Sequence, residues 1–250
     1  MEDRYTSNRI FLTKEEQDKI KNVPILIGGA GIGSVIAECI LRFGFENITI
    51  VDSNVVEVSK LNRENYIESD IDTSKSEAIK KRLLNINSKA TITALNCMID
   101  EENITSIIEG HKIAINTLDH SSNIPLLFDE ICRDKEVPVL HSYNLGWGGL
   151  VTIINPNSLL LDAIFRKKED VNEMEVIRYA ASYMRFWGKP QSWLDEIIAA
   201  YKKEKETLPP PQLCVSSWLV ASMCTSILYK IVIGKEVKVF PEFYLSVIDS

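Results

Sequence analysis

The stretch Ile25-Leu26-Ile27-Gly28-Gly29-Ala30-Gly31-Ile32-Gly33-Ser34 decides the fold of this chain. Four residues of apolar strand character run into a glycine-rich turn, and an apolar helix pattern follows to about Phe43. A glycine run between a strand and a helix lets backbone N–H groups approach a phosphate, with the partial positive charge of the helix end behind them. Asn47 to Asp52 (NITIVD) reads as the next strand. It ends on a carboxylate about 20 residues after the turn, where an acid holds ribose hydroxyls in nucleotide-binding α/β domains. A tight strand-to-helix turn without ligand is the plainer reading of the glycines alone.

Working outward, short apolar runs alternate with amphipathic stretches, the mark of an α/β domain with a mostly parallel, Rossmann-like sheet and helices on both faces. Thr13 and Glu16 form a capping box for a short helix, and Ser74 and Glu77 suggest another, opening a helix to about Ile86. Strands are expected at Thr91–Leu95, Ile113–Asn116, Val137–His141 and Leu150–Ile154, covered on both faces. Helices are expected at Glu101–Glu109 and from Ser121 to about Arg133. Beyond Pro156 the pattern changes. Residues 157–212 are charged, aromatic and broken by prolines, with helical periodicity near 172–185 and 191–206. They read as a crossing or lid segment of one domain spanning 1–250, with 1–156 as the nucleotide-binding core. A helix over 215–233, stopped at Gly234, and a strand near Phe243–Val247 would close that core.

The net charge of −7 argues against non-specific nucleic-acid binding. The opening MEDRYTSNR is polar, and the uncharged run Leu213–Tyr229 carries several serines, so a buried helix is expected rather than a membrane span. The five cysteines form no CxxC pair, and with three histidines they make no zinc pattern. Reduced thiols, a cytoplasmic location and no zinc are the expectations.

The glycine motif and Asp52 alone are shared with nicotinamide-dependent oxidoreductases. The next segment separates the two readings. Ser59-Lys60-Leu61-Asn62-Arg63-Glu64 resembles the Ser-Asn-Leu-Asn/Gln-Arg-Gln stretch of the ThiF/MoeB family, which includes ubiquitin-activating enzymes. Asn54 stands where that family usually has Asp, Lys60 where it has Asn, and Glu64 where it has Gln. Lys75, before Ser76-Glu77-Ala78, resembles the family's Gly-x-x-Lys-Ala lysine. Asn116-Thr117-Leu118-Asp119 resembles its Thr-Asp-Asn turn, with His120 where Asn is common. Asn144-Leu145-Gly146-Trp147-Gly148-Gly149 and Val151 to Pro156 resemble its glycine turn, strand and proline. The resemblance covers residues 4–155, and 212–248 more loosely.

The resemblance implies ATP- and Mg²⁺-dependent adenylation of a carboxylate on a small ubiquitin-like or sulfur-carrier protein, or on a peptide. It implies backbone phosphate contacts at Gly29, Gly31 and Gly33, with Asp52, Asn54 and Asn62 also lining the nucleotide site. Arg63 and Lys75 would meet the triphosphate, and Asp119 would hold Mg²⁺. The family's opening Arg-Tyr-x-Arg matches Arg4-Tyr5. Its second arginine, which reaches ATP across a dimer interface, falls on Ser7, with Arg9 as the nearby substitute, so a homodimer is expected. Each residue has a plainer reading: Arg63 and Arg9 as surface residues, Lys75 as a solvated first-turn residue, Asp119 as a helix cap. Cys214 lies near the crossing region, where thioester-forming relatives carry a catalytic cysteine, but it precedes an apolar helix and reads as an ordinary thiol. The rival classes are an oxidoreductase and a non-catalytic partner subunit of a heterodimeric activating enzyme.

Overall fold

The computed structural model describes residues 3–120, 122–165, 172–204 and 210–247. A seven-stranded sheet forms the centre, in the order β3-β2-β1-β4-β5-β6-β7. Its strands are β1 (Ile25–Gly28), β2 (Asn47–Val51), β3 (Thr91–Leu95), β4 (Ile113–Asn116), β5 (Val139–Leu145), β6 (Gly148–Ile154) and β7 (Tyr244–Val247). The pairs from β3 through β5 are parallel, and β5–β6 and β6–β7 are antiparallel. The strand order reverses between β1 and β4, so a crevice opens at their carboxyl ends.

The helices are α1 (Lys14–Lys21), α2 (Ile32–Phe43), α3 (Lys75–Ile86), α4 (Ile104–Ile108), α5 (Ile124–Asp134), α6 (Glu173–Phe186), α7 (Ser192–Lys203) and α8 (Cys214–Val232). One face of the sheet, through Ile25, Ile27, Ile48 and Ile50, packs under α2, α3 and α8. The other, through Leu26, Val51, Ala114 and Val139, packs under α4 and α5. Beyond them, α6 and α7 bury Met174, Ile177, Ala180 and Leu194 against Tyr143, Leu145, Leu150 and Phe243. Strands buried on both faces read as continuous apolar runs, which is why β1 and β4 are plain in the sequence. Although α8 is long and apolar enough to cross a membrane, it lays Val220, Ala221, Cys224, Ile227 and Leu228 into the core beneath α2.

The Thr13 capping box forms as expected: Glu16 N donates to Thr13 Oγ1 (3.2 Å) and Thr13 N to Glu16 Oε2 (2.8 Å). The expected Ser74 box does not form. Ser74 makes no side-chain cap bond, because its Oγ pairs with Ser76 Oγ at 3.0 Å and its backbone bridges Val55. The helix expected over Glu101–Glu109 shortens to α4. Asp100 Oδ1 accepts the N–H groups of Glu102 and Asn103, both at 3.0 Å, so the chain makes an Asx turn there instead of a helical turn. Ser121, expected to open α5, lies outside the described residues. The largest difference is at β5 and β6, which extend into one antiparallel hairpin rather than two covered parallel strands. Only Gly146 and Trp147 connect them, with Gly146 at φ +75°. A connection that short cannot make a parallel crossover.

Candidate active site

The glycine turn is built from three different constraints. Gly29 has φ +93°, and a Cβ there would sit 2.6 Å from Thr117 O. Its N–H is spent on Val51 O (2.9 Å). A Cβ on Gly33 would come within 2.8 Å of Ile27 Cγ2, so its smallness lets α2 lie against β1. Gly29 and Gly33 therefore serve packing and turn geometry. Gly31 differs: a Cβ there would meet only Glu64, with Oε1 at 3.2 Å. Gly31 caps α2, whose first-turn N–H groups have no intrahelical acceptor. That edge of the turn is the surface that fits a phosphate.

Asp52 braces the turn. Its Oδ2 accepts from Ala30 N and its Oδ1 from Asn54 N, both at 2.7 Å. The Asn54 carbonyl accepts from Lys75 N at 2.9 Å, so Asp52, Asn54 and the start of α3 are one unit. Asn54's role is carried by its backbone. Tyr66 OH donates to Ala30 O at 2.7 Å. Ser34 Oγ donates to Gly31 O (2.6 Å) and accepts from Asn65 N (2.9 Å). These bonds bind the segment after Arg63 to the glycine turn.

Lys75 is buried, not solvated. Its Nζ lies 2.8 Å from Glu64 Oε2, with the two side chains 8% and 7% exposed. No hydrogen bond is aligned on Glu64 Oε2, so the contact is an ion pair by distance. Arg63 Nε donates to Gln212 Oε1 at 2.7 Å, and its guanidinium also donates to Ser59 O and Asn62 Oδ1. Asn62 Nδ2 reaches Gln212 O at 3.5 Å. Gln212 is thus a site residue that the sequence reading missed, hidden behind the proline run of the crossing segment. The next residue is held too: Asn144 Nδ2 donates to Leu213 O (2.8 Å) and to Ser217 Oγ (3.0 Å). The end of the crossing segment therefore spans the carboxyl ends of the strands. Cys214 follows it, exposed at the start of α8.

Asp119 is exposed beyond the end of β4. Beneath it is a polar cluster. Buried Asp129 Oδ1 accepts from Asn116 Nδ2 (3.1 Å) and lies 2.9 Å from His141 Nε2. The His120 ring stacks on Tyr143 with centroids 6.3 Å apart. His120 Nδ1, Tyr143 OH and Asp129 Oδ2 are buried without a hydrogen-bond partner. Burial first, then the neighbouring His141, pulls His120 down to about 4 against the opposing pull of Asp129 and Asp119. Glu173, at the start of α6, is pushed up by burial and by the charge of Asp119, while Arg63 pulls it down. Glu173 was not foreseen either, because its burial within reach of the Asp119 charge depends on how α6 docks.

The N-terminal arginines lie elsewhere. Arg4 donates to Ile86 O, and Tyr5 OH to Glu46 Oε1 (2.8 Å). Both partners lie near the amino ends of strands, away from the glycine turn. Arg9 is exposed and donates to Thr6 O at 3.1 Å. Within one chain the structure gathers Gly31, Asp52, Asn54, Asn62, Arg63 and Lys75 around the turn, sets Asp119 just past β4, the strand next to β1, and leaves Arg9 out. No group of three or more acidic, histidine or cysteine side chains arranged for a metal occurs among the described residues.

Comparisons with known proteins bear on the fold and the family. The chain is 30% identical over 175 residues to the sulfur carrier protein ThiS adenylyltransferase of Bacillus subtilis, covering 66% of this chain and 52% of that protein. It is 27% identical over 141 residues to the molybdopterin-synthase adenylyltransferase of Salmonella typhimurium, covering 56% of each. The match thus spans about half the length of these relatives. Among solved structures, E. coli MccB with ATP superposes with a TM-score of 0.71 at 16% identity, covering 99% of this chain and 72% of that one. PaaA superposes at 0.67 and 17% identity, covering 94% and 72%. At that identity the likeness is one of fold. The ThiF family model matches residues 5–247, taking in the glycine turn, the Arg63 and Lys75 segments, the Asp119 turn and the closing strand, so the chain belongs to the ThiF family.

Proposed function

We propose that the protein adenylates a carboxylate at the expense of ATP. A substrate carboxylate oxygen attacks the α-phosphorus, the bond from that phosphorus to the bridging α–β oxygen breaks, and pyrophosphate leaves. The product is an acyl-adenylate. The attacking carboxylate carries no proton at neutral pH, so the protein's task is to position the reactants and neutralise charge. The observation that carries the reading is the gathering of Asp52, Arg63 and Lys75 around the glycine turn at the sheet's switch point, with Asp119 just past the neighbouring strand β4.

In this reading the N–H groups at the start of α2 hold phosphate, and Asp52 faces the ribose. Arg63 and Lys75 offset the triphosphate charge. Asp119 holds Mg²⁺, which supplies further charge neutralisation when bound. The names of the relatives favour a small sulfur-carrier or ubiquitin-like protein as substrate, and MccB solved with N-formylated MccA favours an alternative of the same chemistry. A nicotinamide oxidoreductase gives no reason for Arg63, Lys75 and Asp119 in these places.

The test is carboxylate-dependent ATP–pyrophosphate exchange. Arg63→Ala, Lys75→Ala and Asp119→Ala should each lower it by about 10²–10³, and Asp119→Ala should also weaken the Mg²⁺ dependence. Full exchange in all three folded variants would sink the assignment. We further propose a homodimer, because Arg9 can approach a site only on another copy. A monomer by light scattering, active at nanomolar concentration, would refute that.

A further inference from the structure

The Glu64–Lys75 pair is unexplained by the reaction. It rests on the adenylation reading only in taking the turn as the phosphate site. Three observations converge on it. Among the described residues, Glu64 alone comes within 4 Å of where a Cβ on Gly31 would be, with Oε1 at 3.2 Å. Its Oε2 lies 2.8 Å from Lys75 Nζ with both side chains more than nine-tenths buried. That same oxygen has no aligned hydrogen bond. A buried carboxylate seated against a helix N-cap and a lysine takes the kind of charge partners that suit a phosphate oxygen.

We propose that Glu64 is a built-in anion that fills the phosphate cradle whenever no nucleotide is bound, and that a nucleotide binds by exchanging its phosphate for the Glu64 carboxylate on Lys75. The exchange holds nucleotide affinity down in two ways. Part of the Lys75–phosphate attraction is offset by the attraction to Glu64 that it replaces. The displaced carboxylate, tethered two residues from Tyr66 and one from Asn65, which are themselves bonded to the turn, stays near the incoming charge. In return, Lys75 is never left as a lone buried cation when no nucleotide is present.

The experiment is calorimetric titration of the full chain with ATP and, separately, with adenosine. Glu64→Gln keeps the shape and removes the charge, so it should bind ATP about tenfold or more tightly than the unsubstituted protein, with adenosine binding unchanged. A merely structural role would move both ligands or neither. Glu64→Asp, which withdraws the carboxylate by one methylene and keeps a partner for Lys75, should lie between the two and carries the test if Glu64→Gln does not fold. Equal or weaker ATP binding by the variants overturns the proposal and leaves the adenylation reading intact. No ATP binding by any of the proteins overturns both.

Discussion

At the scale of the residue, two glycines separated only by Ala30 show how position sets consequence. Gly29 has a left-handed φ and the Thr117 backbone, just past β4, pressed against it. Gly29→Ala should therefore destabilise by about 2–5 kcal/mol, from strain and overpacking together. Gly31 has φ −68° and only the end of a flexible side chain nearby. Gly31→Ala should cost roughly 1 kcal/mol or less, while crowding the one edge open to phosphate and weakening ATP binding. Urea unfolding and nucleotide titration of both variants check the contrast, and equal stability losses would refute it. The sequence motif treats the glycines alike; the separation of their roles comes from Thr117, just past β4, pressing on Gly29, and from the flexible Glu64 side chain beside Gly31.

At the scale of the element, the crossing segment is tied down where it meets α8. Gln212 holds Arg63 and Asn62, and Leu213 is held by Asn144. These contacts join parts of the chain 149 or 150 residues apart on one side and 69 on the other. We predict that Gln212→Ala raises the KM for ATP about three- to tenfold, by freeing the Arg63 guanidinium, while changing stability by roughly 0.5 kcal/mol or less. Exchange kinetics with a parallel melt would decide it, and an unchanged KM would remove Gln212 from the site. A second element-level tie is the buried Glu38 of α2, which accepts from Arg42 of its own helix (2.8 Å), Arg82 of α3 (2.5 Å) and Asn65 (2.5 Å). It fixes the angle between two helices that both start at the site. The 3.6-residue pattern placed Glu38 on α2, but its three partners follow only from packing.

At the scale of the whole molecule, pH dependence separates groups that lie far from the site. Burial pulls His111 below its ordinary value, against the opposing effect of its backbone hydrogen bonds, and its Nε2 lies 2.9 Å from Thr49 Oγ1. A histidine lowered on folding binds its proton more readily in the unfolded chain. Its stabilising neutral form is complete above the unfolded range near 6.5 and is lost as pH falls below it. For Glu38, burial raises the carboxyl but the hydrogen bonds from Arg82, Asn65 and Arg42 together lower it. Its contribution is present above about 4.5 and lost only as pH falls further. We therefore expect His111→Gln to lessen the slope of the stability curve between pH 7 and 5, the rest of that slope coming from His120, and to leave the steeper acid limb in place. Urea unfolding across that range checks this; parallel curves for the two proteins would sink it.

The sequence by itself determined the α/β class, the positions of β1 through β4, both long core helices and the family to which the chain belongs. It could do so because these features are local: an apolar run covered on both faces, a 3.6-residue stripe, a glycine turn and a family motif of contiguous residues. The tertiary structure alone decided the β5–β6 hairpin, the loss of the Ser74 cap, the Glu64–Lys75 ion pair, the Gln212 latch and the burial of Glu173 within reach of the charges of Asp119 and Arg63. Each of those depends on a partner brought from another element, and spacing along the chain carries no record of which buried charge will find which neighbour once the helices dock.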